Sequence, residues 1–307
     1  MNSRLRNFLI GAVLGAIILL TPIGLFNWYV DPFCFFNRDT YGMYWHSERY
    51  CKISLLKSTA TYDSIIIGNS RAAWIAPDNN KTINLSFSGA TYNEVYEFLE
   101  KYLEADKTVF IGIDYENFYK DKTITDTFVS KSVSDVLHHF FSSEITGASY
   151  ANHFHRHEFK PSISLGEKGN RVMVESDWAK LKGFNEAISD GRFANFEFIH
   201  KSSFNDVNEK KSIEILKNIK KVLIKRNAKY VIFTNPILPA RQEKLIKNYP
   251  EEIKLIKHFS SELKKIFPNT FDYALNHGFQ NTIFRDPDHF SPEAGQDILR
   301  QLRANIH

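Results

Sequence analysis

The sequence predicts an α/β protein, a three-layer α/β/α sandwich around a central parallel sheet, preceded by one transmembrane helix. Short apolar runs that end at glycine or proline recur after residue 60, and stretches of helical periodicity separate them. A long apolar run near the amino terminus predicts the transmembrane helix. The 307 residues are 43% hydrophobic and 24% charged, with a mean hydropathy of -0.32, which excludes a multi-span membrane protein.

Residues 1–30 are predicted to be a cytoplasmic tail and a membrane anchor. The run from Phe8 to Phe26 is about 19 residues long, and as a helix at about 1.5 Å per residue it nearly matches a hydrocarbon core of about 30 Å. Arg4 and Arg6 precede this run and Asp31 follows it, so the positive-inside rule predicts a cytoplasmic amino terminus. Residues 31–307 would then lie outside, in a single-pass type II arrangement.

The end of the run distinguishes an anchor from the alternative, a cleaved signal peptide. Signal peptides have an apolar region of about 7 to 15 residues that ends in small residues. Here the run is longer, and Phe26, Trp28 and Tyr29 stand where the small residues should be. Aromatic side chains are typical of the membrane interface, so the sequence favours an uncleaved anchor.

Residues 31–60 form a predicted irregular, membrane-proximal connector that contains the only two cysteines, Cys34 and Cys51. On the exported side of a membrane the conditions are oxidising, and a disulfide between them would close a loop there. Two buried thiols are the alternative, and the sequence does not decide between the two. The net charge of +4 is spread along the chain, and we predict no nucleic-acid binding.

Residues 61–307 are predicted to form one α/β domain with an insertion at about 119–205. Strands are predicted at 62–68, 82–89, 107–114, 229–236 and 270–275. Helices are predicted at 91–105, 208–226 and 243–267, the last with a break before Pro250, and a final helix begins after Ser291. The insertion is polar and aromatic, and we expect it beside the site or as a small cap. Its residues His153, His155 and His157 would share one face of a strand, but no acid or cysteine completes a metal site, and no metal is predicted.

Three residues at opposite ends of the chain predict nucleophilic catalysis. Ser70 follows the first strand in Gly-Asn-Ser-Arg, where a tight turn would expose its hydroxyl and aim its backbone N–H at an oxyanion. His289 lies before the final helix, three residues after Asp286. At this spacing the carboxylate can reach the imidazole Nδ1 and leave Nε2 to accept the serine proton. A turn serine and a capped loop histidine are the alternative.

These blocks resemble the SGNH (GDSL-type) hydrolase superfamily, which implies a flavodoxin-like α/β/α fold and a Ser70–His289–Asp286 triad. The family's glycine block after the second strand is matched by residues 84–90, and it implies Gly89, with Ser70, as an oxyanion-hole donor. The third block departs from the pattern. Residues 112–117 read Gly-Ile-Asp-Tyr-Glu-Asn, so no asparagine stands at the expected place. Asn117 is a candidate for an oxyanion donor, and a structural role is the alternative that we favour for it.

The anchor, the Asp-Pro-Phe connector and the Gly-Asn-Ser-Arg block resemble the membrane-tethered proteins that work beside membrane-bound O-acyltransferases. That resemblance implies a serine acyltransferase or esterase without a cofactor, which carries an acyl group of the acetyl or D-alanyl type. Its implied partners are a multi-span O-acyltransferase, a cell-envelope polysaccharide or teichoic-acid-type polymer, and the lipid bilayer. The alternatives are a non-catalytic subunit that binds glycan or docks the acyltransferase, and an esterase with no membrane partner.

Overall fold

In a computed structural model of the protein, residues 3–36, 48–119, 132–155, 164–172, 206–275, 278–286 and 289–306 are described. The chain divides into two compact units. One unit combines Met1–Ser54 with Ser130–Ser162, and the other combines Leu55–Val129 with Ile163–His307. The predicted insertion is therefore shared between the two units.

The larger unit is built on a five-stranded sheet in which every neighbouring pair is parallel. Its strands have the order β2-β1-β3-β6-β7, and a separate antiparallel hairpin contains β4 and β5. The strands are β1 (Ser64–Ile67), β2 (Thr82–Asn84), β3 (Thr108–Ile113), β4 (Ser164–Leu165), β5 (Arg171–Val172), β6 (Lys229–Thr234) and β7 (Phe271–Asp272). All five predicted strands lie in the parallel sheet, but most end earlier than their apolar runs suggested.

Helices cover both faces of this sheet, which confirms the predicted α/β layering. The helices of the chain are α1 (Ser3–Val30), α2 (Glu48–Ser58), α3 (Tyr92–Tyr102), α4 (Tyr115–Tyr119), α5 (Val133–Phe141), α6 (Ser143–Phe154), α7 (Asp206–Lys225), α8 (Pro239–Asn248), α9 (Pro250–Ile266) and α10 (Pro292–Arg303). Helices α3, α4, α7 and α9 pack together in one layer. On the other face, Ile298, Leu299 and Leu302 of α10 are buried in a core with Ile66, Phe110 and other sheet side chains.

Local sequence signals fix the boundaries of the helices around the sheet. Thr91 and Glu94 form a capping box at the start of α3, in which each side chain satisfies a backbone N–H of the first turn. Ser291 caps α10 and accepts from the Ala294 N–H, and Pro292 occupies its first position. Pro250 likewise occupies the first position of α9. The preceding helix α8 ends at Asn248, because a proline disfavours helical backbone at the residue before it and cannot continue a helix.

Gly295 of α10 gives a test of this packing. A Cβ at Gly295 would lie 2.7 Å from the Trp74 carbonyl oxygen and 2.9 Å from Ile75 Cα, both backbone atoms. Gly295→Ala should therefore push α10 away from the Trp74–Ile75 backbone and lower the free energy of unfolding by about 1–3 kcal/mol. Thermal unfolding measures the effect, with Gly147→Ala in α6 as the matched control, since nothing lies within 4 Å of its Cβ position. Equal stability of the two variants would contradict this account.

The smaller unit contains the apolar amino-terminal helix and part of the insertion. Helix α1 runs over 28 residues with a hydropathy of 2.5 in its most apolar window, of which only 6% is buried, so it is long and apolar enough to cross a membrane. The α5–α6 pair packs on α1. Cys34 and Cys51 are disulfide-bonded, with Cα atoms 5.0 Å apart. The connector is not irregular throughout, because α2 occupies Glu48–Ser58, a stretch without glycine or proline.

Candidate active site

Ser70 lies on the turn that follows β1, at the carboxyl edge of the parallel sheet. Gly68 lets this turn pass close to β3, because a Cβ there would lie 2.7 Å from the Gly112 carbonyl oxygen. The Ala73 N–H donates to the Asn69 carbonyl oxygen at 3.1 Å, and a short 3₁₀ helix follows at Ala72–Trp74. The turn leaves Ser70 partly exposed, as the sequence predicted for a nucleophile.

Asp286 and His289 lie on a tight turn before α10. The turn is closed by the Arg285 N–H, which donates to the His289 carbonyl oxygen at 2.9 Å, and by a backbone bridge between Phe284 and Phe290. The His289 N–H donates to Asp286 Oδ1 at 2.9 Å, so the carboxylate folds back across the turn. The spacing of three residues thus brings the acid to the histidine, as expected from the sequence.

The structure brings Ser70, His289 and Asp286 together in triad geometry. His289 Nε2 lies 3.1 Å from Ser70 Oγ, while Nδ1 lies 2.9 Å from Asp286 Oδ1 and 3.1 Å from Oδ2. The carboxylate favours a proton on Nδ1, which leaves the Nε2 lone pair directed at the serine hydroxyl. The side chains of His289 and Asp286 are 23% and 27% exposed, so a substrate can reach the imidazole.

Two backbone donors of the predicted oxyanion hole are available. Neither the Ser70 N–H nor the Gly89 N–H donates to an acceptor in the part of the chain that the structure describes. Gly89 has a φ of +64°, in the left-handed region that favours glycine, and it is exposed. Backbone donors fixed in this way can stabilise an oxyanion without reorganising.

Asn117 supports this loop instead of pointing at an oxyanion. Its Nδ2 donates to the Ala90 carbonyl oxygen at 2.8 Å, and its N–H donates to the Asp114 carbonyl oxygen at 3.3 Å. Asn117 therefore braces the residue that follows Gly89.

Asp114 occupies the position where the family that the chain resembles has an asparagine. Its buried carboxylate is held by three donors. Arg71 Nη1 lies 3.0 Å from Oδ1, Asn235 Nδ2 donates to Oδ1 at 3.1 Å, and Asn69 Nδ2 donates to Oδ2. Arg71 also pairs with Glu116 at 3.0 Å. These contacts tie both neighbours of Ser70 to the end of β3, so Asp114 acts as a support for the nucleophile turn.

Asp114→Asn should slow the reaction of Ser70 with a serine-directed probe, although it introduces the asparagine of the family that the chain resembles. The amide would place an N–H among donors and remove the negative charge that faces the buried Arg71, at a cost of about 3 kcal/mol in the free energy of unfolding. Thermal unfolding and the rate at which a fluorophosphonate labels Ser70 measure the effect, with the exposed Asp63→Asn as control. Faster labelling with unchanged stability would instead show that asparagine here serves the oxyanion.

The buried phenol of Tyr92 should make the free energy of unfolding depend on pH in the alkaline range. Its hydroxyl donates to the Asp114 carbonyl oxygen at 2.6 Å, and burial, then the Asp114 charge, raises its pKa well above the usual value of 10. Burial also raises the pKa of Tyr115. The unfolded chain therefore loses protons above pH 10 before the native state does, so these phenols contribute stability that is present below pH 10 and is lost above it.

The free energy of unfolding should fall above pH 10 by about 1.4 kcal/mol per pH unit for each buried phenol. Urea unfolding of the detergent-solubilised protein at pH 8 to 11, followed with phenolate absorbance, measures this slope. Tyr92→Phe should reduce it by one phenol. Full phenolate absorbance near pH 10 in a protein that is still folded would contradict the assignment.

Three side chains around the triad had no signal in the sequence, and a fourth, Asn84, was noted only as part of the block at residues 84–90. Trp74 is buried, with its ring 6.5 Å from that of His289. The Arg285 guanidinium lies 4.1 Å over Trp74, and its Nε is 3.2 Å from Asp286 Oδ2. Arg171 of β5 lies 5.9 Å from the Trp74 ring and donates to Ser88 Oγ. Asn84 Nδ2 donates to the Ala72 and Ile75 carbonyl oxygens, each at 2.8 Å. These hydrogen bonds hold the end of β2 against the segment that follows Ser70.

The described part of the histidine motif, up to His155, is not the predicted strand. His153 lies in α6 and His155 caps its carboxyl end, while His157 lies outside the described residues. In a helix, period-two spacing does not place imidazoles on one face. Among the residues that the structure describes, no group of three or more His, Cys, Asp or Glu side chains could hold a metal ion.

Comparison with known proteins adds no assignment to this geometry. No protein-family model matches the chain, and no curated protein matches it significantly.

Proposed function

We propose that the protein is a membrane-anchored serine acyltransferase or esterase that acts through an acyl-enzyme on Ser70. The observation that carries this proposal is the Ser70–His289–Asp286 arrangement, with distances of 3.1 Å and 2.9 Å between its hydrogen-bonding atoms. It stands at the carboxyl edge of a parallel sheet, where ligands bind in open α/β folds. SGNH-type proteins perform this chemistry, and the resemblance noted above supports the same class here.

In the first step, Ser70 Oγ attacks the carbonyl carbon of an acyl ester. Its proton passes to His289 Nε2, and Asp286 stabilises the resulting imidazolium. The oxyanion of the tetrahedral intermediate accepts from the Ser70 and Gly89 N–H groups. When the intermediate collapses, the bond to the leaving alkoxide breaks and His289 returns the proton to it, which leaves an ester on Ser70.

In the second step, a hydroxyl group gives its proton to His289 and attacks the acyl carbon. The bond to Ser70 Oγ then breaks, and Ser70 takes the proton back. A polymer hydroxyl as acceptor makes the reaction a transfer, and water makes it a hydrolysis. With residues 31–307 outside the cytoplasm, as the charge pattern before α1 predicts, the acceptor would be a cell-envelope glycopolymer, and a multi-span O-acyltransferase would supply the acyl group.

A second candidate function, a non-catalytic subunit that binds glycan or docks the acyltransferase, is favoured by one observation. The oxyanion position of the third block holds Asp114, whose carboxylate cannot donate and is already held by Arg71 and two amides. Loss of one oxyanion donor costs about 3 kcal/mol of transition-state stabilisation.

A fluorophosphonate probe on the full-length protein tests the proposal, because it reacts only with an activated serine. We expect labelling of Ser70 and none in Ser70→Ala, with Ser58→Ala, an exposed serine of α2, as the labelled control. An unlabelled wild-type protein would favour the binding subunit. The acyl content of envelope polymers in cells carrying Ser70→Ala then separates transfer from hydrolysis, since unchanged content would exclude a transferase.

A further inference from the structure

The α5–α6 pair is fixed to the carboxyl end of α1, at the level of its apolar run. Asn27 of α1 is fully buried, and its Nδ2 donates to the Phe140 carbonyl oxygen at 2.8 Å and to Thr146 Oγ1 at 2.9 Å. A Cβ at Gly24 would lie 3.0 Å from Phe141 Cε1, so α5 touches α1 there. Gly24 lies two residues before the end of the run, about 3 Å inside it along the helix axis.

The outer faces of these two helices are apolar and exposed. Val133, Leu137 and Phe141 of α5 follow one another at four-residue spacing and are 77%, 53% and 42% exposed. Tyr150 and Phe154 of α6, also four residues apart, are 53% and 60% exposed. Side chains at this spacing share one face of a helix, and leaving such large apolar groups partly in water forfeits up to about 1.5 kcal/mol each.

This apolar surface continues onto α1. The rings of Tyr150 and Phe154 lie 4.9 Å apart, and the Phe154 ring lies 6.3 Å from that of Phe26, the last residue of the apolar run. Phe26 also contacts His153, at 5.9 Å. If lipid surrounds the last turn of the apolar run of α1, the exposed apolar face of the α5–α6 pair must therefore contact lipid as well.

The α5–α6 pair has few charged residues, so apolar contact would provide its affinity for lipid. Residues 132–155 contain no lysine or arginine, and their acids are Asp135 and Glu144. Asp135 accepts from the N–H and hydroxyl of Ser132 in a capping box, and these bonds lower its pKa, so it stays charged at neutral pH. Residues 132–155 therefore offer no lysine or arginine of their own to attract anionic lipid.

From these observations we infer that α5 and α6 form a membrane-interface hairpin. Its side chains contact the lipid of the leaflet that surrounds the carboxyl end of α1; they are Leu137, Phe141, Tyr150 and Phe154. Interfacial helices lie with their apolar face about 5–10 Å into the boundary between headgroups and acyl chains, deep enough to reach the level of Gly24, about 3 Å inside the run. The smaller unit is then held to the bilayer by two elements. This inference rests on the proposed membrane anchor, and its test separates the two.

Spin-label accessibility in the full-length protein tests the hairpin directly. The native cysteines are disulfide-bonded, and no free cysteine occurs among the described residues, so one introduced cysteine takes the nitroxide. Leu137→Cys and Tyr150→Cys are compared with Leu14→Cys in α1 and with the matched control His138→Cys, exposed on another face of α5. The protein is placed in phosphatidylcholine vesicles, and collisions with oxygen and with a water-soluble nickel chelate are measured.

We expect the labels at positions 137 and 150 to be shielded from nickel and accessible to oxygen, as at position 14, while the label at 138 is more accessible to nickel. Nickel accessibility at 137 and 150 equal to that at 138 would overturn the hairpin, even with position 14 shielded. Nickel access at position 14 would overturn the anchor itself. Shielding that is lost on dilution of the protein in lipid would make the face a contact between copies and would also overturn the inference.

Discussion

Loss of His289 should lower the rate of Ser70 acylation by about 10⁴- to 10⁶-fold, since it is the only base that the structure places on the serine hydroxyl within the described residues. Without it, the serine proton has no acceptor when the carbonyl carbon is attacked. Ser70→Ala removes the nucleophile and should have an effect of the same size. The two losses should not add, because the residues act as one unit.

Single-turnover acylation by an activated ester, with fluorophosphonate labelling of the same variants, measures this loss. His258→Ala is the matched control, because His258 is an exposed histidine that pairs with Glu209 away from the triad. Unfolding curves of His289→Ala should match those of the wild type, which separates lost chemistry from lost structure. A fall of less than tenfold in His289→Ala would remove this residue from the role of base.

Asp286→Asn should lower the same rate by about 10⁴-fold while leaving the serine and histidine in place. The amide can present an N–H to Nδ1, which would move the imidazole proton to Nε2, where it blocks acceptance of the serine proton. The substitution also removes the negative charge next to the Arg285 guanidinium. Asp286→Ala should lose a comparable amount, since it leaves the ring without an orienting partner.

Asp297→Asn on α10 is the control for this pair, because Asp297 is exposed and pairs with Arg300 of the same helix. The readout is the dependence of acylation rate on pH, together with the imidazole proton resonances, which report the tautomer. An Asp286→Asn protein with wild-type acylation and a proton still on Nδ1 would show that another group orients His289.

The strands and helices of the larger unit follow from local sequence to a large extent. Apolar runs such as residues 64–67 and 229–234 have no polar face, which favours burial on both sides of a parallel sheet. The capping signal at Ser291 placed the start of α10 correctly, and helical periodicity placed the start of α3 within one residue. The ends of strands were overestimated because a hydrophobic residue after a strand can be buried in a turn, as Leu85 and Phe87 are.

The insertion was the least predictable part of the chain. Its helical segments α5 and α6 pack on α1, and the β4–β5 hairpin belongs to the sheet-containing unit, where Arg171 reaches Ser88. Sequence patterns report which face of an element is apolar, but they do not report which partner covers that face. The histidine spacing misled for the same reason, because it was interpreted for a strand and the segment up to Phe154 is a helix.

The sequence by itself determined the parallel α/β layering, the apolar helix at the amino terminus, and the identity of Ser70, Asp286 and His289 as candidates. Periodicity, caps and a three-residue spacing are local properties, so they are legible without coordinates. Only the tertiary structure decided that the Ser70 hydroxyl meets His289 across 219 positions of the chain. It also decided that Asp114 is a support held by Arg71, and that Asn117 braces Ala90. Such contacts depend on the order of strands in the sheet, because parallel strands bring their carboxyl ends to one edge regardless of their distance in sequence.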